Sequence, residues 1–424
     1  MFQSVRGTKD ILPPEILFWQ KIEETGRKII ENYGYKELRT PIIEEEKLFI
    51  RSLGDTTEVV NKQMFLVKRL SCGEKEDQDE GSLVLRPEGT AAVARAYIEN
   101  NLDKKYDFVK FYYFGAMFRA ERPQKGRLRQ FHHLGVEAIG SDSPYLDVEL
   151  ISLAKRLLEA FGVDDFQINL NSLGCQNDKN KFILFIKDAL KGKIDNFCPD
   201  CQRRYQSNVL RILDCKNKTC RQILKDIVFS EGFLCPQCKQ HFQQVEEGLK
   251  ILGIPYNLVP FLVRGLDYYT RTVFEITHQG LGTQDALGAG GRYDDLLKQL
   301  GGPSKPAAGF ALGIERVLLA IKEEEISKDS KLVYIIGLDA QAKKEALKML
   351  RDLRESGLCA DMDYQDKSLR AALRKANSLN ARFVIILGEA ELKNKKVKLK
   401  DMRNSTEIEL GFSELAGEIK KRIC

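Results

Sequence analysis

Apolar residues recur at helical spacing near the start of the chain. The pattern predicts a helix from Glu15 to about Tyr33, which Gly34 ends, and an extended run over Tyr35–Ile43 with Pro41 near its end. The apolar positions of the helix are Ile16, Leu17, Trp19, Ile22, Ile29 and Ile30. Such a helix and strand fit either a pair packed within one core or the seam of a dimer, and both interpretations stay open.

The pattern changes to short strands farther along. Leu83–Leu85 is a predicted strand, Ala91–Glu99 a helix, and Phe108–Arg119 an aromatic-rich strand with Arg129–Gly140 as its antiparallel return. Adjacent strands rich in Tyr, Phe and Val, without a helix between them, indicate an antiparallel sheet.

An interruption of about 87 residues follows, over 172–258, and it combines cysteines with helical segments. The strand pattern then resumes with Leu262–Thr277, Gly288–Tyr293 and Ala308–Gly313, which leads into a predicted helix over Ile314–Ile321. We therefore expect an inserted domain at 172–258 within a catalytic core formed by 1–171 and 259–325. The charged stretch Lys322–Lys331 is a predicted linker.

The last part of the chain alternates strands with helices. Strands are predicted at Leu332–Gly337, Cys359–Tyr364 and Phe383–Leu387, with helices at Ala340–Ser356 and Ser368–Asn377. This order is typical of a βαβα unit with parallel strands. We expect it to form a separate α/β domain over 331–424.

Composition fits two or three globular domains. The chain has 424 residues, of which 43% are hydrophobic and 30% charged. The start, MFQSVRGTKD, lacks the apolar region of a secretion signal, and no run of 18 apolar residues occurs, so we expect a cytoplasmic protein without a membrane span. The net charge of +6 lies within residues 331–424. That excess fits either polyanion binding or an ordinary solvated surface.

Seven of the ten cysteines lie between Cys175 and Cys238. Two Cys-x-x-Cys pairs, separated by 33 residues, have spacing suited to tetrahedral zinc. The low-specificity zinc candidates are Cys198, Cys201, Cys235 and Cys238, with Cys215, Cys220 and His241 as possible additions. Reduced, buried thiols are the competing interpretation, and a structural zinc stays open.

Two arginine-bearing stretches, Phe118–Glu137 and Leu262–Glu275, hold the candidate chemistry. Paired guanidinium groups beside carboxylates suggest a site for phosphate and a small polar ligand, although a surface salt-bridge lattice would use the same residues. Because no P-loop motif is present, arginines would have to bind the phosphate. Strand parity places Arg129, Phe131, His133 and Glu137 on one face. It also places Arg264 with Leu266, and Tyr268 and Tyr269 on opposite sides.

These residues carry a resemblance that covers nearly the whole chain. The sequence resembles the histidine–tRNA ligase family of class II aminoacyl-tRNA synthetases. The motifs that carry the resemblance are RGTKDILPPE, RPEGTAAVARA, FRAERPQKGRLRQFHHLGVE, LVRGLDYYTRTVFE, GGRYDDL and GFALGIERVLL.

The resemblance implies an α+β catalytic domain with a six-stranded antiparallel sheet, a mainly helical insertion and a C-terminal anticodon-binding domain. It implies that ATP with Mg²⁺ and L-histidine form histidyl-adenylate, and that the histidyl group then passes to the cognate tRNA, with release of diphosphate and AMP. A homodimer is also implied.

The resemblance assigns expected roles residue by residue. Arg119 and Arg264 would be catalytic and hold the α-phosphate from two sides. The expected histidine-binding residues are Glu88, Gly89, Thr90, Arg119, His133, Glu137, Arg264, Tyr268, Tyr269 and Tyr293. The expected ATP-binding residues are Arg119, Glu121, Arg127, Phe131 and Arg316. Arg122, Gln124 and Arg129 would approach the tRNA acceptor stem.

One position departs from the family. His133 stands where the family usually has Gln. Because an imidazole can titrate near neutrality, the hydrogen-bond pattern and the pH response at this position stay open. The alternatives are a non-catalytic regulatory subunit of ATP phosphoribosyltransferase, which shares the fold, and a synthetase for another amino acid. The first usually lacks the tail domain, and RGLDYY and GGRYD argue against the second.

Overall fold

A computed structural model describes residues 2–55, 57–68, 81–225, 233–282, 285–321, 331–365 and 368–423. The chain divides into two compact units, residues 1–323 and 324–424. The predicted linker over 322–331 lies outside the described residues, apart from Lys331.

Fourteen α-helices and sixteen β-strands occur in the described residues. The helices are α1 Glu15–Asn32, α2 Glu46–Leu53, α3 Thr90–Glu99, α4 Pro144–Ala160, α5 Gln176–Leu190, α6 Pro199–Ser207, α7 Lys218–Lys225, α8 Pro236–Ile251, α9 Leu296–Gln299, α10 Ile314–Ala320, α11 Ala340–Glu355, α12 Leu369–Ser378, α13 Glu389–Asn394 and α14 Leu415–Ile423. The strands are β1 Lys36–Glu37, β2 Ile43–Glu45, β3 Phe65–Val67, β4 Leu83–Leu85, β5 Val109–Phe118, β6 Gln130–Ile139, β7 Phe166–Ser172, β8 Asn257–Leu258, β9 Thr270–His278, β10 Ala286–Arg292, β11 Ala307–Gly313, β12 Val333–Gly337, β13 Ala360–Met362, β14 Phe383–Leu387, β15 Lys396–Asp401 and β16 Thr406–Gly411.

The first unit is built on an eight-stranded mixed sheet, in the order β1-β5-β6-β11-β10-β9-β7-β8. The expectation of a six-stranded antiparallel sheet is therefore wrong in detail. The six central strands are antiparallel to their neighbours, but β1 and β8 add parallel pairs at the two edges. These added strands are only two residues long and pair with the open backbone edges of β5 and β7. Neither is long enough to show strand periodicity.

The β5–β6 hairpin confirms the predicted antiparallel return, and it gives the sheet two buried faces. Consecutive side chains point to opposite faces of a strand. Tyr112 and Val136 accordingly join a core with Trp19 of α1, whereas Tyr113 belongs to a second core with Ala91 of α3. Because Trp19, Ile22 and Ile30 are buried within this chain's own core, α1 packs inside the unit.

The stretch that contains Arg264 is not a strand, contrary to the prediction for Leu262–Thr277. Strand β9 begins only at Thr270, and residues 262–269 are turns and irregular backbone. The physical reason is that a side chain, and not a neighbouring strand, takes up the backbone hydrogen bonds of this segment. The Lys179 ammonium donates to the backbone oxygens of Asp267 at 2.6 Å and Tyr269 at 3.4 Å. Period-2 counting therefore does not apply there.

The second unit contains a five-stranded sheet in the order β13-β12-β14-β15-β16. The first three strands are parallel, as predicted, but β15 and β16 form an antiparallel hairpin that the βαβα interpretation omits. The Asp401 carboxylate shapes its turn by accepting hydrogen bonds from the backbone N–H groups of Arg403 and Asn404. No helix among the described residues is long and apolar enough to span a membrane.

Candidate active site

A cavity of about 230 Å³ lies over strands β6, β10 and β11 of the first unit. It brings together residues that are up to 228 positions apart in the chain. The predicted site residues that line it are Glu88, Thr90, Arg119, Glu121, Arg127, Phe131, His133, Arg264, Tyr268, Tyr269, Tyr293 and Arg316. Both tyrosines after Leu266 line the same cavity, so their predicted placement on opposite sides is wrong.

Several guanidinium groups line the cavity. Arg119 donates through Nε to the Pro87 oxygen at 2.9 Å and lies 5.3 Å from the Phe131 ring centre. Arg264 donates to Glu275 at 2.8 Å, but its Nε is buried with no hydrogen-bond partner among the described residues. Arg316 is fixed by the oxygens of Gly126 at 2.9 Å and Ala286 at 2.6 Å.

The electrostatics of these arginines favour an anionic ligand. Burial lowers the pKa of Arg119, and the neighbouring Arg264 charge lowers it further, while Glu88 opposes the effect. Burial also lowers the pKa of Arg316, with the Arg119 charge as the next cause. Like charges are thus held together in a desolvated cavity, which an anion would stabilise.

A buried carboxylate, Glu137, accepts hydrogen bonds from hydroxyl groups that line the cavity. Glu137 accepts hydrogen bonds from the Thr90 hydroxyl at 2.7 Å, the Tyr113 hydroxyl at 3.3 Å and the Tyr293 hydroxyl. Burial raises the pKa of Glu137 to about 8, although these three donors act against the shift. Glu137 is thus poised near neutrality to pair with a ligand that both donates and accepts hydrogen bonds.

The start of α3 presents a second carboxylate. Glu88 accepts hydrogen bonds from the backbone N–H groups of Thr90 at 2.7 Å and Ala91 at 2.8 Å, so it caps the helix and stays inside the cavity. Burial raises the pKa of Glu88. Gly89 itself contacts Tyr113, because a Cβ on Gly89 would lie 2.3 Å from the Tyr113 Cζ. Gly89 therefore contributes close approach of the backbone.

His133 also lines the cavity. Burial, followed by the charges of Arg119 and Arg316, lowers the pKa of His133 to about 3. An imidazole with this pKa is neutral at physiological pH. Its Nδ1 is buried without a hydrogen-bond partner among the described residues. It therefore offers one free polar atom to a ligand.

Glu121 and Arg127 line the cavity at the β5–β6 turn, where they form an ion pair with each other. The three predicted acceptor-stem residues do not line the cavity. Arg122 and Gln124 are exposed in the turn, and Arg129 donates to the backbone oxygens of Glu121 and Arg6, both at 3.3 Å. Parity thus placed Phe131, His133 and Glu137 correctly but not Arg129, which precedes the strand.

Sequence reasoning missed two residues of the site. Tyr113 lines the cavity and lies against Gly135, where a Cβ would approach its Cζ to 2.2 Å. The hairpin register, which pairs Tyr113 with Gly135, was the available signal. Glu315 also lines the cavity and holds the backbone N–H of His132 at 2.9 Å. Its position beside Arg316 was the only hint.

The predicted zinc set does not form one cluster. Cys198 and Cys201 lie with Cys215 and Cys220, whereas Cys235 and Cys238 lie with Cys175 and Asp178. His241 belongs to neither group, since its Nε2 lies 2.8 Å from a buried Asp147 oxygen. Spacing along the sequence could pair neighbouring cysteines. It could not show which pairs the packing of the helices brings together.

Known protein families match this chain over most of its length. The family model described as Histidyl-tRNA synthetase matches residues 7–177 and 228–317, and the one described as Anticodon binding domain matches residues 332–422. A histidine–tRNA ligase of Natranaerobius thermophilus is 46% identical over 99% of both chains, and one of Halothermothrix orenii is 43% identical over 99% of both.

A solved structure is similar over the same length. The apo histidyl-tRNA synthetase of S. aureus is 35% identical, covers 99% of this chain and 100% of its own, and superimposes with a TM-score of 0.79. Full-length identity above 40% and matches to both family models lead to one conclusion. The chain belongs to the histidyl-tRNA synthetase family.

Proposed function

We propose that this chain attaches L-histidine to its cognate tRNA with ATP, through histidyl-adenylate, at the cavity of the first unit. In the first step a carboxylate oxygen of histidine attacks the α-phosphorus of ATP, and the bond to diphosphate breaks. In the second, the terminal ribose hydroxyl of the tRNA attacks the histidyl carbonyl and AMP leaves. The enzyme is a histidine–tRNA ligase.

One observation carries the assignment of the site: Arg119 and Arg264 line the same cavity as Glu88. The hydroxyl groups that donate to the buried Glu137 line this cavity as well. A displacement at phosphorus is accelerated mainly by positioning and by fixed positive charge around the phosphoryl oxygens. Arg119 and Arg264 would hold the α-phosphate from two sides. The unpartnered Nε of Arg264 supports this role, because a phosphate oxygen would satisfy it.

Histidine would bind beside Glu88 and the hydroxyl groups that surround Glu137. The imidazole of the substrate presents one donor and one acceptor. Because the pKa of Glu137 is about 8, its carboxyl can accept from the donor when ionised or donate to the acceptor when protonated. Thr90 and Glu88 would bind the substrate ammonium, while Tyr268 and Tyr293 close the pocket. His133 would offer its free Nδ1 to the substrate. When the buried polar groups of a site need such partners, amino acids that lack them are rejected by a factor of about 10⁴–10⁵ in kcat/KM.

ATP would bind beside the arginines that line the cavity. The adenine would stack on Phe131 and meet Glu121, while Arg127 and Arg316 hold the distal phosphates. Because Arg127 and Glu121 form an ion pair, binding would replace that pair with two contacts to the nucleotide. Mg²⁺ would arrive with the triphosphate, since the lining carboxylates Glu88, Glu121 and Glu315 already accept hydrogen bonds or an ion pair.

The tRNA would contact two regions. Arg122, Gln124 and Arg129 lie in the β5–β6 turn beside the cavity and would meet the acceptor stem. The anticodon-binding family model matches residues 332–422, and residues 331–424 carry a net charge of +6, so this part of the chain would bind the anticodon arm through phosphate contacts. The proposed domain bounds remain 1–171 with 259–325, 172–258 and 331–424.

A homodimer is proposed as the working form. The three-stranded sheet β2-β4-β3 exposes apolar side chains, with Ile43 47% and Leu66 60% exposed, and the preceding Ile42 is 45% exposed. Light scattering on the purified protein tests this. A single monomeric species at micromolar concentration would contradict it.

Histidine-dependent exchange of labelled diphosphate into ATP tests the reaction. Exchange with histidine alone among the twenty amino acids, followed by charging of histidine tRNA, is the expected result. Folded protein that shows no exchange would instead fit the regulatory-subunit alternative. Exchange with another amino acid would point to a different synthetase.

A further inference from the structure

The helical segment between β7 and β8 contains two compact groups of potential metal ligands. In each group four ligand atoms lie within 4.8 Å of one another. The first group is Cys198, Cys201, Cys215 and Cys220, and the second is Cys175, Asp178, Cys235 and Cys238. None of these residues lines the catalytic cavity.

The first group has the dimensions of a tetrahedral zinc site. Zinc–sulfur bonds of about 2.3 Å place two ligand sulfurs of a tetrahedron about 3.8 Å apart. The sulfurs of Cys198 and Cys215 are 3.8 Å apart, far beyond the roughly 2.05 Å of a disulfide bond. The backbone N–H of Cys198 donates to the Cys220 sulfur at 3.2 Å, a contact that stabilises a metal-bound thiolate.

Both ligand pairs of this group also have suitable spacing. Two residues separate Cys198 from Cys201 and four separate Cys215 from Cys220, within the range of structural zinc sites. Cys201 and Cys220 are fully buried. Their sulfurs are therefore shielded from solvent, as in a closed site with no open coordination position.

The second group joins the N-termini of two helices. Cys175 precedes α5 and Cys235 precedes α8, and each is followed three residues later by its second ligand, Asp178 or Cys238. The backbone N–H of Cys175 donates to the Cys238 sulfur at 3.2 Å. Helix N-termini favour the anionic form of such ligands.

An unsatisfied carboxylate oxygen marks this group independently. Asp178 is fully buried, and its Oδ1 has no hydrogen-bond partner among the described residues. The other oxygen, Oδ2, accepts a hydrogen bond from the backbone N–H of Cys175 at 3.4 Å. A cation held by three sulfurs and Asp178 would pair with the remaining Oδ1, which is otherwise costly to bury.

We propose that the two groups are structural zinc sites, one with four cysteine ligands and one with three cysteines and Asp178. Soft thiolates in closed tetrahedral sets select zinc among the common divalent ions. Each zinc ties together elements that are separated in the sequence: α6 to the start of α7 in the first site, and α5 to α8 in the second.

The sites would stabilise the segment that presents Arg264. Helix α5 supplies Lys179, whose ammonium holds the Asp267 oxygen at 2.6 Å, and Asn208, just after α6, donates to the Asp267 carboxylate at 2.9 Å. Gly174, beside Cys175, accepts from the backbone N–H of Arg271 at 2.7 Å. Both zinc-bound regions thus contact the backbone around residues 267–271.

Elemental analysis of the full-length protein, purified without chelators and with Zn²⁺ in the growth medium, tests the proposal. Two zinc ions per chain are expected. Cys220→Ser and Cys238→Ser should each lose one zinc, whereas Cys359→Ser should lose none, because Cys359 is exposed in the second unit. Retention of both ions in either of the first two variants would overturn the site concerned.

Experiments on the unmodified chain keep the test valid if a variant does not fold. Replacing zinc with Co²⁺ should give the visible spectrum of tetrahedral, sulfur-rich cobalt, and chelation should lower the Tm and expose seven further thiols to a thiol reagent. Less than a tenth of a zinc per chain would overturn the proposal, as would bound iron or disulfides detected by mass spectrometry. These readouts do not depend on aminoacylation, so the two proposals fail separately.

Discussion

Replacing Arg264 by Gln should slow formation of histidyl-adenylate by about 100-fold. A unit charge about 4 Å from a phosphate oxygen is worth about 4 kcal/mol at an effective dielectric constant of 20. Glu275, at 2.8 Å, offsets part of that charge on one edge of the guanidinium. About 2.7 kcal/mol is left for the transition state, which corresponds to about 100-fold in rate and agrees with the loss of one fixed donor in other enzymes.

The assay is rapid-quench measurement of adenylate formation at saturating histidine and ATP, with KM values determined in parallel. Arg271→Gln is the matched control, because Arg271 lies in the same part of the chain and pairs with Asp294 but does not line the cavity. The double variant Arg264→Gln/Glu275→Gln removes the carboxylate that the single change leaves unpaired. It should be as slow as Arg264→Gln, although its Tm should be higher.

Two results would refute this reasoning. A single-turnover rate within threefold of the unmodified enzyme would show that Arg264 does not stabilise the transition state. Recovery of the rate in the double variant would show that the unpaired Glu275, and not the missing cation, causes the defect. A change confined to the KM for histidine would assign Arg264 to ground-state binding only.

Two further predictions concern groups with altered pKa values. Because the pKa of Glu137 is raised from 4.5 to about 8, the folded state holds a proton that the unfolded state releases, so this group makes the free energy of unfolding fall as pH rises from about 4.5 to 8. Glu137→Gln should remove that decrease in urea titrations across this range and weaken histidine binding at least tenfold; an unchanged slope would contradict the assignment. His133→Gln should leave adenylate formation largely intact and its pH profile unchanged between pH 6 and 8, because the imidazole is already neutral; a fall of two decades would show a specific role for His133.

Elements with strong periodicity were predictable from the sequence. The helix from Glu15, the strand Leu83–Leu85 and the β5–β6 hairpin lie where apolar spacing and turn residues place them. The hairpin then determines which side chains share a face, so Phe131, His133 and Glu137 could be assigned to one face of the sheet. The arginines alone also fitted a surface salt-bridge lattice, and the family resemblance supplied their expected roles.

Features that depend on long-range contacts were not predictable in the same way. The irregular backbone before β9 is held by Lys179, almost 90 positions away, and nothing local signals it. The two metal-ligand groups combine cysteines by the packing of helices, so the sequence pairs were right but their partners were not. The β15–β16 hairpin had a local signal, the alternation in Lys396–Asp401, which the helix–strand pattern before it obscured.

The three hydrogen bonds to Glu137 have a consequence for assembly of the active site. The donors Thr90, Tyr113 and Tyr293 come from a helix start, a central strand and the end of another strand, spread over more than 200 positions. The carboxylate therefore acquires its environment only when all three segments have docked. Histidine can therefore bind only to chains in which all three segments are in place. Histidine added during refolding should accordingly shift the population towards the native form.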